Sequence, residues 1–192
     1  MYIKKYLLSS LTSTKDEIFG RIELIQKATG NQIVFEVKDD CILRKSKPIK
    51  GEKPNFLTEE QLSNLAKQMD YFSNLGLIHG DLHFKNLLVN KEEVYIIDWE
   101  PSLEQMIGNL NTLMYTGPWI DPEDKENREL TINTDLLCFY RLKTNKKLHY
   151  FKENDWFLLK NMAKNDKIPF TFLNKEQSNE YTQCQIKQER SF

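Results

Sequence analysis

Residues 77–90 read LIHGDLHFKNLLVN. Two histidines, an aspartate, a lysine and an asparagine fall within residues 79–86, between apolar flanks. A surface turn between two buried elements would account for the polarity. A catalytic loop held between a helix and a strand would account for the residue types. The flanks bear on the choice. Upstream, Thr58-Glu59-Glu60-Gln61 has the form of a capping box. The helix it opens carries Leu62, Leu65, Ala66, Met69 and Phe72 on one face and ends near Gly76. Downstream, LLV (87–89) and VYIID (94–98) flank Asn90-Lys91-Glu92-Glu93 and predict a hairpin. Its second strand runs out in Asp98-Trp99-Glu100.

Helix, polar loop, hairpin and an aspartate at a strand end is the order in which kinases set out phosphoryl transfer. The chemistry asks for these residue types. A carboxylate must orient the attacking hydroxyl and accept its proton, and Asp81 suits that role. An amide oxygen and a second carboxylate must hold Mg²⁺ on the nucleotide phosphates, which suits Asn86 and Asp98. Lys85, beside Asn86, is a candidate phosphate contact.

From these motifs the chain resembles the protein-kinase-like superfamily. HGDLHFKN followed by IIDWE is similar to aminoglycoside phosphotransferases and related small-molecule kinases. Farther on, the resemblance shifts toward protein kinases. Residues 116–123 (TGPWIDPE) look like the segment that ends in Ala-Pro-Glu, and Thr116 falls where Ser/Thr kinases carry a threonine that hydrogen-bonds the catalytic aspartate. Asp135, in TDLLCFYRL, falls where the family's central helix starts and braces the catalytic-loop backbone. Two departures stand out. Gly80 replaces the arginine of His-Arg-Asp, so activation by loop phosphorylation is not expected. His83 stands where protein kinases usually have a phosphate-binding lysine, which leaves the source of charge neutralisation open.

The N-terminal part shows no G-x-G-x-x-G. Residues 2–8 (YIKKYLL) predict a strand, and residues 14–28 a helix with Ile18, Ile22 and Ile25 at helical spacing, ended by Gly30-Asn31. IVFEV (33–37) and CILR (41–44) predict a hairpin around Lys38-Asp39-Asp40. In kinases a strand lysine binds nucleotide phosphate and pairs with a helix glutamate. Strand alternation puts Ile3, Lys5 and Leu7 on one face and favours Lys5 for that role. The pattern of small bacterial effector kinases favours Lys4. Glu17, or second Glu23, is the helix partner, and the backbone of Lys45-Ser46-Lys47 is the expected adenine contact. The expected architecture is α+β, a reduced protein-kinase-like fold. Residues 1–50 form a truncated N-lobe, 51–172 a small helical C-lobe, and 173–192 a polar tail. Within the C-lobe, 153–164 (ENDWFLLKNMAK) predicts an amphipathic helix.

Bulk properties bound the function. With 40% hydrophobic and 11% aromatic residues, the chain can bury a core. Lys+Arg 27 against Asp+Glu 28 argues against non-specific nucleic-acid binding, which needs a basic surface. Three scattered cysteines (Cys41, Cys138, Cys184) suit a reducing, cytoplasmic setting. No stretch approaches the roughly 20 apolar residues of a membrane span. In size and style the chain is most similar to minimal Ser/Thr kinases delivered by bacterial type III secretion systems. That resemblance implies ATP and Mg²⁺ as cofactors, a host signalling protein as substrate, and action in a host cytosol. The missing Gly-rich roof predicts weak ATP affinity, or rescue by a partner that covers the phosphates and completes the reduced lobe. The competing readings are a small-molecule kinase and a non-catalytic pseudokinase that binds partners. Retention of Asp81, Asn86 and Asp98 together speaks against the latter.

Overall fold

The computed structural model describes residues 1–104 and 131–144, and the elements below lie within them. The chain opens with strand β1 (Tyr2–Leu7), followed by helix α1 (Lys15–Ala28). Thr14 caps α1 by accepting from the Glu17 backbone N–H, while the Glu17 carboxylate accepts from the Thr14 backbone N–H. This reciprocal box satisfies two of the orphan donors at the helix start. Ile18, Ile22 and Ile25 form the buried stripe of α1. The helix stops where Gly30 and Asn31 both take left-handed φ of 57°, a conformation that these two residue types tolerate best.

Strands β2 (Ile33–Val37) and β3 (Cys41–Ser46) then form a hairpin. β3 lies in the middle of a three-stranded antiparallel sheet of order β1-β3-β2. The register sets Lys4 opposite Arg44 and Tyr6 opposite Ile42. Tyr6 is 3% exposed, whereas Ile3 is 51% and Leu7 50% exposed. The face of β1 that turns inward is therefore Tyr2, Lys4 and Tyr6. This reverses the facing expected from apolar alternation: Ile3 and Leu7 point outward, and Lys5 goes with them. Lys5 lies 3.9 Å from exposed Asp40, away from the strand face that bears Arg44.

A connector crosses from this sheet to the second unit of structure. Glu52 and Val89 exchange both backbone hydrogen bonds, at 2.9 Å each. Gly51 permits that approach, because a Cβ there would come within 3.0 Å of the Val89 carbonyl oxygen. Helix α2 (Glu59–Asn74) begins in the predicted capping box, Thr58 with Gln61. Gly76, at φ 74°, lets the chain turn so that Leu77 N–H reaches back to the Phe72 carbonyl. The 79–86 loop follows, with a 3₁₀ turn at Phe84–Asn86. It leads into the antiparallel hairpin β4 (Leu87–Asn90) and β5 (Glu93–Ile96). Helix α3 (Ile132–Thr144) is buried from Thr134 to Leu142.

One hydrophobic cluster runs through these elements, from Ile18, Ile22 and Ile25 through Leu62, Leu65 and Met69 to Leu136, Phe139 and Tyr140. Trp99 is its largest fully buried side chain. Its ring lies edge-on between His79, at 4.7 Å, and Phe72, at 5.1 Å. Packing the strand end against the loop and α2 in this way fixes where Asp98 sits. Thr116, the TGPWIDPE segment, the predicted helix 153–164 and the polar tail lie outside the described residues.

Candidate active site

The loop at 79–86 is held from beneath by one buried carboxylate. Asp135, at the start of α3, accepts the His79 and Gly80 backbone N–H groups at 2.7 Å each, one per oxygen. Burial pushes the Asp135 carboxyl above its ordinary value, partly offset by His79 and by these two bonds. Gly80 sits at φ 81°, a conformation that L side chains adopt only under strain. An arginine at this position would carry that strain.

His79 ties the loop to the strand end. Its Nδ1 accepts the Asp81 backbone N–H at 3.2 Å, which assigns the proton to Nε2, and Nε2–H donates to the Ile97 carbonyl at 2.9 Å. Ile97 N–H in turn donates to the Asn86 carbonyl at 2.9 Å. Asn86 and Asp98 are thus anchored side by side through Ile97.

Asp81 and Asn86 meet directly. The Asn86 Nδ2 amide donates to the Asp81 carbonyl at 2.9 Å and to Asp81 Oδ2 at 3.1 Å. His83 accepts the Lys85 backbone N–H on Nδ1, and its Nε2 lies 3.4 Å from Asp81 Oδ1. His83 therefore flanks the carboxylate instead of offering a phosphate contact. The Lys85 side chain extends from an exposed residue, and its carbonyl accepts the Lys53 ammonium. Burial lowers the Lys53 ammonium pKa, with Asp98 pulling the other way. The connector thus brings a lysine to the 79–86 loop.

Asp98 adopts a left-handed φ of 66°. A non-glycine residue held there costs on the order of 1 kcal/mol and persists only where its surroundings over-determine it. Arg44 provides much of that determination. Only 2% exposed, it donates NH1 to the Trp99 carbonyl at 2.7 Å and NH2 to Asp98 Oδ1. Burial raises the Asp98 carboxyl. The Arg44 hydrogen bond and charge, with Lys4 and His79, outweigh that and hold it below its ordinary value. Such a group contributes stability that is complete above its unfolded pKa, about 3.9, and is lost as pH falls through the lower folded value. Arg44→Met removes the main cause. Its melting temperature should therefore fall less than the wild type's between about pH 5 and about pH 2. Equal acid slopes for the two proteins would contradict the Arg44–Asp98 linkage.

Lys4, on the inward face of β1, forms an ion pair with Glu100 at 2.5 Å, and Arg44 NH1 lies 4.0 Å from the same Glu100 oxygen. Like charges facing across a strand pair destabilise it. Here Asp98 and Glu100 offset Lys4 and Arg44. Helix α1 adds Arg21, which donates Nε to the Glu100 carbonyl at 3.0 Å and NH2 to the Ile78 carbonyl at 2.9 Å. Burial lowers its pKa to about 10, so it stays cationic at neutral pH.

Several expected ligands are placed elsewhere. Glu17 is spent on the α1 capping box and does not pair with Lys4 or Lys5. Lys45 lies in the middle strand between Ile3 and Val34, with its ammonium on Glu36, and Lys47 N–H donates to the Gln32 carbonyl. The sheet pairs Lys45 on both sides, and Lys47 N–H is used just beyond it, so these groups are not free for an adenine contact. Arg44, Glu100, Arg21 and Lys53 were not among the expected site residues. The signal for Arg44 was weak, a charged residue directly after the apolar run Cys41-Ile42-Leu43.

A family model described as RIO domain matches residues 36–114, less than half of the chain. The RIO domain is an atypical protein-kinase-like family, and the matched span holds β3, α2, the 79–86 loop, the β4–β5 hairpin and Asp98. Over that span the chain is similar to a protein-kinase-like family. Its α+β architecture is consistent with a reduced kinase fold. β1, with Lys4, and α1 lie outside the matched span.

The donor set can be tested against the metal that such folds use. Asn86 turns its Nδ2 to Asp81, which leaves Oδ1, and Asp98 gives Oδ1 to Arg44, which leaves Oδ2. Both remaining atoms are hard oxygen donors. Mg²⁺ is typically bound through one or two such protein groups, with phosphate oxygens and water completing its octahedron. The residues present fit.

Proposed function

We propose that the chain is an ATP- and Mg²⁺-dependent phosphotransferase, and that its acceptor is a serine or threonine hydroxyl of a protein. The observation that carries the reading is the convergence of Asp81, Asn86 and Asp98. The Asn86 side chain binds Asp81, while its backbone carbonyl binds the residue before Asp98. Asp81 would orient the acceptor hydroxyl and take its proton, aimed by Asn86 and His83. Asn86 Oδ1 and Asp98 Oδ2 would hold Mg²⁺. When bound, the metal screens the polyphosphate charge that builds during transfer. Lys4 and Lys53, whose charges act on Asp98, would be the phosphate contacts. Asp135, His79 and Arg44 keep these groups in register without touching substrate. The loop holds no arginine after His79 to receive a phosphorylated segment, so the site would be assembled constitutively.

A small-molecule acceptor is the competing reading, supported by HGDLH and IDWE. The test is transfer from γ-labelled ATP to generic protein substrates by wild type and Thr116→Ala. If Thr116 orders a protein substrate against Asp81, its loss should lower protein phosphorylation by about 10- to 100-fold, the scale of one positioning hydrogen bond. Undiminished transfer to protein by Thr116→Ala would remove the role assigned to Thr116. Transfer to small-molecule alcohols alone would remove the protein-kinase reading.

A further inference from the structure

In the general kinase arrangement, the strand lysine that holds nucleotide phosphate is itself positioned by a glutamate on the following helix. Neither candidate glutamate of α1 is paired with Lys4, and Glu23 is exposed. Glu17 closes the cap of α1, and one turn on, the helix presents Arg21, a cation, to the Glu100 and Ile78 carbonyls. A helix face carrying an arginine toward this region would repel Lys4, not anchor it. The carboxylate that meets Lys4 comes from Glu100, two residues after the metal-site aspartate. The Glu100 side chain is 12% exposed and that of Lys4 36%, so solvent reaches the pair mainly from the lysine side.

Resting on the phosphotransferase reading, we propose that Glu100 is the positioning residue for Lys4, and that it couples the phosphate-binding lysine directly to the metal-binding aspartate through the segment 98–100. Three contacts support the assignment. Arg44 fixes Asp98 and the Trp99 carbonyl from one side. Arg21 fixes the Glu100 carbonyl from the other. Lys4 therefore meets a carboxylate whose backbone is held on both sides. Lys4 also lies 5.1 Å from the centre of the Tyr6 ring, which limits where its stem can go. The consequence is regulatory. A swing of α1 would not separate the lysine from its acid, because the acid is not on α1. Phosphate binding and metal binding should rise and fall together.

The test is calorimetric binding of Mg-ATP and of adenosine to the full chain. The proteins compared are wild type, Glu100→Gln, Glu100→Asp, Lys4→Met and the Lys4→Met/Glu100→Gln double variant. Glu100→Gln should weaken Mg-ATP binding about tenfold, a typical coupling for groups in contact. Adenosine binding should stay unchanged, an asymmetry that general unfolding would not produce. Glu100→Asp, which keeps the charge on a shorter arm, should fall between wild type and Glu100→Gln. The double variant should bind Mg-ATP no more weakly than Lys4→Met alone. Wild-type affinity for Mg-ATP in Glu100→Gln, or full additivity in the double variant, would overturn the role of Glu100 while leaving the phosphotransferase reading intact. Should Glu100→Gln fail to fold, Glu100→Asp carries the decision, and equal loss of Mg-ATP and adenosine binding in it would overturn the proposal. Absence of Mg-ATP binding by folded wild type would overturn both readings together.

Discussion

Asp98→Ala should lower phosphoryl transfer by roughly 10³-fold or more and should abolish the dependence of nucleotide binding on Mg²⁺. Two effects add in this variant. The side chain that would hold the metal is gone, so charge on the transferring group loses its main screen. The buried Arg44 guanidinium also loses its carboxylate, keeping the Trp99 carbonyl and the more distant Glu100. A buried cation stripped of its partner is costly, so some stability should be lost as well. The two effects separate experimentally. Asp98→Asn keeps the side-chain shape and an oxygen for Arg44, and should lose transfer while losing less stability. Thermal unfolding with and without Mg-ATP checks this, because a ligand stabilises only the state that binds it. A Mg²⁺-dependent shift in Asp98→Ala equal to that of wild type would contradict the metal assignment.

Asp135→Ala should cost the fold more than any other single change at the site. Its carboxylate is the acceptor for two backbone N–H groups, those of His79, only 2% exposed, and Gly80. Each buried donor left unpaired costs about 1–3 kcal/mol. Relief from keeping a buried carboxylate offsets part of this, so a net loss of roughly 3 kcal/mol is expected. For a chain of this length that is about 6–12 °C in Tm. Transfer should fall too, because Asp81 follows directly on the two residues that Asp135 holds. Asp135→Asn keeps one acceptor oxygen and should be intermediate in both respects. Wild-type stability in Asp135→Ala would show that α3 does not brace the loop.

The features legible in the sequence are those set by neighbours in the chain. The Thr58–Gln61 capping box, the Gly30-Asn31 stop, the Gly76 turn and the β4–β5 hairpin depend on residues within a few positions of one another. The placing of Asn86 against Asp81 and against the residue before Asp98 fits the spacing read in the sequence. The inward face of β1 was not legible. Alternation ranks Ile3 and Leu7 as buried, yet the sheet covers the face that bears Tyr6. Only pairing with β3, some forty residues away, sets Lys4 beside Arg44. The same distance hid Arg44 as the holder of Asp98 and Glu100 as the partner of Lys4. Glu17 looked available for Lys4 because its local duty as a cap was not weighed against its distant one. Lys45 and Lys47 looked available because the sheet that engages their backbones had not been assembled.

The most direct measurement is single-turnover transfer from γ-labelled ATP in the presence of Mg²⁺, wild type against Asp81→Asn. The change is nearly isosteric and leaves an oxygen to accept from Asn86, but it removes the carboxylate that takes the proton. Wild type should transfer label to a hydroxyl acceptor. Asp81→Asn should bind Mg-ATP with wild-type affinity and transfer label about 10²- to 10⁴-fold more slowly, the usual contribution of a positioned general base. Equal transfer by the two proteins, or none by folded wild type that binds Mg-ATP, would contradict the assignment of this site as a phosphotransferase centre.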